Sequence, residues 1–102
     1  MSENTLERKR QGNFTVVQNE LIEHPELTYK AKGIFMYLWS RVNMPSWTYN
    51  MKDIVGQSKD GKDAVLSGIR ELETHRFIER VAIKTTGSRF AGYRYILDDT
   101  LV

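Results

Sequence analysis

Lys59, Lys62, Asp63, Leu66, Ser67 and Arg70 follow one another at intervals that place them together on one face of a helix. Lys62 and Arg70 carry donors suited to guanine edges or phosphates, Ser67 can bond to either, and an outward Leu66 can lie against a thymine methyl. Three further cations, Lys84, Arg89 and Arg94, sit in a downstream run with the alternation of a β-hairpin. Residues 80–97 contain Arg80, Lys84, Arg89 and Arg94 and no acid, whereas five of the thirteen acids precede residue 27. A locally cationic hairpin on a nearly neutral chain (net charge +2, pI about 9.0) suits a surface that meets phosphates. Plainer alternatives stay open on these residues alone. The helix face can be a solvated face of mixed charge, and the hairpin cations can protect an edge from aggregation. Arg8-Lys9-Arg10 reads either as an arm following a neighbouring groove or as a solubilising tail.

Other chemistries find no residues to perform them. His24 and His75 are the only histidines and lack the spacing of a metal-binding pair such as HExxH. His75 near a helix end is explained by the helix dipole, and Glu71 and Glu73 by pairing with Arg70 and Arg76. Gly56, Gly61 and Gly68 match neither phosphate-loop pattern. The absence of cysteine removes disulfides, thiolate metal sites and a cysteine nucleophile together. The sequence therefore predicts no enzyme, no metal and no cofactor. The longest nearly apolar stretch, 33–39, is too short to cross a bilayer, and the polar N-terminus lacks a signal-peptide core, so a soluble, cytoplasmic protein is expected.

At 102 residues the chain has room for one domain with a modest core. Residues 1–13 are polar and basic and read as a flexible arm, leaving 14–102 as the folded domain. Residues 14–17 suit a short strand and Leu21-Ile22 a turn packed beneath it. Thr28 is the expected N-cap of a helix from Tyr29 to about Val42, where Ala31, Ile34, Phe35, Leu38 and Val42 form one apolar stripe. Gly33 within that helix suggests a close backbone approach. Met36, Tyr37 and Trp39 widen the stripe beyond what one core uses, which points to a homodimer through this helix.

Trp47-Thr48-Tyr49 suits a strand pairing with the later hairpin. Asn50 caps a helix through Val55, 56–58 form a turn, and a further helix starts near Ser58 or Asp60 and runs to about His75. Its inward face is Val65, Gly68, Ile69 and Leu72. Two strands, 77–84 and 93–97, then enclose a tip in which Gly87 and Gly92 permit positive φ. Tyr93 and Tyr95 read as sheet packing. This order predicts an α+β fold of the winged helix-turn-helix kind, with three main helices and a small three-stranded antiparallel wing sheet. In such a fold the second helix of the pair enters the major groove of double-stranded DNA, and Arg89 at the tip reaches the minor groove.

Asn19-Glu20-Leu21-Ile22, the run LTYKAKGIFMYL (27–38), and Gly61-Lys62-Asp63-Ala64-Val65 with Ile69-Arg70-Glu71-Leu72-Glu73 carry a resemblance. Over about residues 14–97 the chain resembles the N-terminal winged-helix domain of replication proteins from phages and plasmids of Gram-positive bacteria. These include phage replisome organisers, and they are similar to the N-terminal domain of DnaD-type primosome proteins. The resemblance implies sequence-specific binding of origin DNA, self-association, and contact with other replication proteins through a separate C-terminal region. Because the chain stops at Val102, it is expected to be either a fragment of a longer initiator or a small stand-alone regulator. A winged-helix transcriptional repressor and a primosomal protein–protein assembly module are the alternatives. Gly68 stands where such helices carry a small residue.

Overall fold

The computed structural model describes residues 14–42, 44–87 and 90–99. The basic cluster Arg8-Lys9-Arg10 and the tip residue Arg89 lie outside the described residues.

Helix α1 (Asn19–Ile22) is a single turn that buries Leu21 completely, where the sequence suggested only a packed turn. Helix α2 (Tyr29–Arg41) begins as its cap requires. Thr28 has extended backbone, and its Oγ1 accepts the Ala31 N–H at 3.1 Å, satisfying one donor of the open first turn. Its Ala31, Ile34, Phe35 and Leu38 are buried at spacings of three and four. Helix α3 (Met51–Gly56) is capped by Asn50, whose side chain accepts the Asp53 N–H at 3.3 Å. Helix α4 (Lys62–Thr74) starts later than the sequence suggested. The Ser58 hydroxyl accepts the Asp60 N–H at 2.9 Å and holds 58–60 as a turn, so Gly61 becomes the N-cap.

The end of α4 sets the hairpin. Arg76 adopts φ 65° and donates its N–H to the Glu73 carbonyl at 3.1 Å, while Phe77 N–H reaches back to Leu72 O at 2.9 Å. These two bonds make a Schellman motif, closed by the hydrophobic pair Leu72 and Phe77, both fully buried. The chain leaves it directly into β1 (Ile78–Lys84), which pairs antiparallel with β2 (Phe90–Leu97), Ile78 opposite Leu97 and Ile83 opposite Gly92. The register then shifts, so that Lys84 stands opposite Phe90 and one residue, Ala91, is extra. Gly87 (φ 85°) and Gly92 (φ 128°) supply backbone conformations that other residues rarely adopt.

One core joins these pieces. Leu21, Leu27, the α2 stripe, Ile54, Val65, Ile69, Leu72, Phe77 and Ile78 form a single buried cluster. The Phe35 and Phe77 rings meet edge-on at its centre, 6.1 Å apart.

Three expectations need correction. Among the described residues there are four helices, the short α1 being additional to the three main ones. Among the described residues the sheet has two strands, not three. Neither 14–17 nor 47–49 pairs as a strand, because side chains rather than a backbone ladder anchor both segments: Val16 O accepts the Trp39 indole N–H, and the Tyr49 ring stacks on Tyr95. The close helix approach also falls elsewhere. A Cβ at Gly33 would meet nothing within 4 Å, whereas one at Gly68 would lie 2.5 Å from Ile34 Cδ1, so α2 and α4 come together at Gly68. Gly33→Ala is accordingly expected to stabilise the fold by about 0.5–1 kcal/mol through helix propensity. The midpoint of urea unfolding reads this directly, and a lower midpoint would show that Gly33 does support packing.

Candidate nucleic-acid interface

Burial of Val65, Gly68, Ile69 and Leu72 turns the opposite face of α4 outward. Lys59, Lys62, Asp63, Ser67 and Arg70 are exposed along that side, Lys59 from the turn that precedes the helix. Leu66 is half-buried, which corrects its assignment as an outward side chain: it sits next to the buried Val65 on the shoulder of the stripe.

Residues that sequence reasoning missed hold this face in place. Lys30 on α2 donates from Nζ to Ser67 Oγ at 3.4 Å and lies 3.9 Å from Glu71 Oε2. Glu71 accepts the Thr28 N–H at 2.9 Å and the Thr28 hydroxyl at 2.8 Å. The backbone bond from Thr28, then its hydroxyl and the Lys30 charge, draw the Glu71 carboxyl below its usual pKa. Glu71 thereby ties α4 to the start of α2, and Glu73 pairs with Arg80 on β1 at 3.8 Å. Both acids are paired, but across elements rather than with Arg70 and Arg76. The signal was only the i to i+3 and i+4 geometry, which cannot see a neighbouring helix.

The hairpin adds Lys84 and Arg94, both exposed, Arg94 opposite Val81 and Lys84 at the register shift. Tyr93 and Tyr95 do pack on the sheet. Tyr95 stacks on Tyr49 at 3.7 Å, and the Arg80 guanidinium lies 4.7 Å from the Tyr93 ring centre. Burial first, then Tyr95, pushes the Tyr49 hydroxyl up to about 12. His75 caps the end of α4, with its ring 5.0 Å from that of His24.

Two of the three side chains that suggested a partner for α2 are engaged within the chain. Trp39 stacks on Phe35 and bonds to Val16 O at 2.9 Å, and the Tyr37 hydroxyl donates to Asp53 Oδ2 at 2.7 Å. Met36 stays exposed. Asp53 Oδ2 also accepts the Trp47 indole N–H at 2.8 Å, and these two donors hold its carboxyl below the usual range. A carboxyl depressed on folding contributes stability that is present above its unfolded pKa of about 4 and disappears as pH falls through the folded value. Urea midpoints are therefore expected to drop between about pH 5 and pH 3. The drop should be smaller in Asp53→Asn and Glu71→Gln, and identical pH profiles for all three proteins would contradict it.

The described residues define a small α+β protein of four helices and a two-stranded antiparallel sheet. Comparison of the chain with protein-family models, with curated proteins and with solved structures finds no match. Among the described residues no helix is long and apolar enough to cross a membrane, and no group of three or more His, Asp or Glu side chains could hold a metal ion.

Proposed function

We propose that this chain is a winged helix-turn-helix domain that binds double-stranded DNA in a sequence-specific way, most closely in the manner of an origin-binding domain of a phage or plasmid replication initiator. The observation that carries the reading is the outward face of α4. Lys59, Lys62, Ser67 and Arg70 are exposed along a helix whose other side is locked into the core, and a hairpin bearing Lys84 and Arg94 follows it. Rigid mounting favours groove reading, since a helix that presents donors to base edges must not rock on its support.

On this reading α4 enters the major groove with Lys62 and Arg70 toward base edges or phosphates. Lys59, Lys84 and Arg94 meet the backbone. Asp63 suits acceptance from a cytosine amino group. Lys30 brings a further cation to the same side, partly neutralised by Glu71. The origin assignment rests on the sequence resemblance alone, and mapping the bound site tests it: repeats within a replication origin support it, and a site overlapping a promoter replaces it with repression.

Competition band-shifts test the residue roles. Arg70→Ala is expected to cost on the order of 1–3 kcal/mol and to relax preference at one base pair, whereas Lys84→Ala should weaken all sequences alike. Wild-type affinity of Arg70→Ala for the selected site would remove Arg70 from the interface.

A further inference from the structure

A cavity of about 520 Å³ lies beside the hairpin; no α4 residue lines it, and among its described lining residues Arg94 alone has a part in the DNA-binding reading. Residues 93–97 of β2 form one wall, residues 47–49 the other, and Leu38 and Arg41 of α2, with Val42 at its C-cap, the floor. Successive strand residues point to opposite faces of a sheet, so a cavity lined by five in a row runs along the strand's edge. It is a slot about 16 Å long, the span of five extended residues.

The backbone along that edge is oriented for a further strand. Asp98 N–H donates to Phe77 O at 2.9 Å, which fixes the alternation of the antiparallel pair: Ile96 and Arg94 turn their backbone groups toward β1, and Tyr95 and Leu97 turn theirs into the slot. Among the described residues no backbone hydrogen bond joins 47–49 to β2, although the Tyr49 and Tyr95 rings lie stacked 3.7 Å apart midway along that wall, a contact that an entering strand must displace. An open edge with apolar walls is a template for strand addition.

The charge of the slot selects the strand. Its lining contains Arg41 and Arg94 and no acid. The Arg41 guanidinium lies 5.2 Å from the Tyr37 ring centre, but its hydrogen bonding is incomplete: Nη1 donates to the Met44 sulfur, a weak acceptor, and Nε is buried with no acceptor among the described residues. A buried donor without a partner is costly, and a carboxylate is the acceptor that matches a guanidinium edge best. Asp53, a carboxylate on which the Arg41 charge also acts, is already committed to Tyr37 and Trp47.

We propose that this slot is the docking site for an acidic, extended segment of a partner protein, which adds to β2 at Tyr95 and Leu97 and sets a carboxylate on Arg41. The free edge decides for a peptide over single-stranded nucleic acid. A peptide backbone offers donors and acceptors at the two-residue repeat of Tyr95 and Leu97, whereas a sugar-phosphate chain has no such repeat and would be held only by the two arginines.

The test uses the full chain with two capped eight-residue peptides, one alternating Glu and Val and one alternating Lys and Val, followed by amide NMR. The Glu/Val peptide is expected to shift the amide resonances of Tyr95 and Leu97 and slow their hydrogen exchange, the Lys/Val peptide to leave them unchanged, and Arg41→Gln to weaken binding about tenfold or more. Arg41→Lys, which keeps the charge but loses the planar guanidinium fork, provides a second readout if Arg41→Gln fails to fold, with a smaller loss in the same direction. Absence of binding at about 1 mM peptide, equal binding of the two peptides, or shifts that spare Tyr95 and Leu97 would each overturn the proposal. So would an oligothymidylate that moves the same amides at lower concentration than the Glu/Val peptide. Because no α4 residue lines the slot, Arg70→Ala reports on DNA binding and Arg41→Gln on peptide binding, so the failure of one reading is distinguishable from that of the other.

Discussion

Phe77→Ala is expected to lower the unfolding free energy by about 3–5 kcal/mol, a large share of the 5–15 kcal/mol that holds a typical domain together. Phe77 is completely buried and occupies the joint where α4 becomes β1. Its ring meets His24 at 5.5 Å and Phe35 at 6.1 Å, while its backbone N–H and C=O hold Leu72 and Asp98. Truncation therefore leaves a cavity among α1, α2 and α4 and loosens the Leu72–Phe77 contact that closes the Schellman motif. Urea unfolding followed by circular dichroism measures the loss, with Phe14→Ala as the exposed control, expected to change stability by no more than about 0.5 kcal/mol. A loss under about 1 kcal/mol at Phe77 would mean that the hairpin does not share the cooperative core.

The second large effect is ionic. If Lys59, Lys62, Lys84 and Arg94 each neutralise one phosphate while Arg70 reads a base, the logarithm of DNA affinity should fall against the logarithm of salt with a slope of roughly −3.6, or ~150-fold between about 50 and 200 mM. Each cation removed from a phosphate should flatten the slope by about 0.9, while a residue that reads a base edge should cost affinity at one sequence position. A band-shift titration at four salt concentrations distinguishes the two. A slope near zero would exclude the phosphate-contact model, and undetectable binding at low salt would exclude DNA altogether.

Much of the framework was legible from residue order, because the forces that set it are local. Thr28 and Asn50 cap the helices they were expected to cap, since an N-cap bond needs only a side-chain oxygen three residues before its donor. The buried face of α4 was predicted residue by residue, because helical period and hydrophobicity agree there. The hairpin and its two positive-φ glycines followed from turn chemistry. With that face fixed, the exposed positions of Lys59, Lys62, Ser67 and Arg70 followed as well.

What remained illegible depends on contacts between segments far apart in the chain. No local rule sends Glu71 to Thr28 and Lys30 instead of Arg70, a bond across more than forty residues that aligns α4 on α2. The two glycines of the helical pair look alike in sequence, yet only Gly68 lies where the helices approach, and only the packing of α2 on α4 assigns that role. Trp47-Thr48-Tyr49 has the composition of a strand, but Trp47 is drawn to Asp53 and Tyr49 to Tyr95, so the ladder does not form and a slot opens beside β2. Sequence by itself determined α2, α3 and α4, the N-caps Thr28 and Asn50, the buried face of α4 and the hairpin, since those arise from interactions within a few residues. The tertiary structure decided which charges pair, where the helices touch and which edge stays open, since those depend on how the elements come to lie against one another.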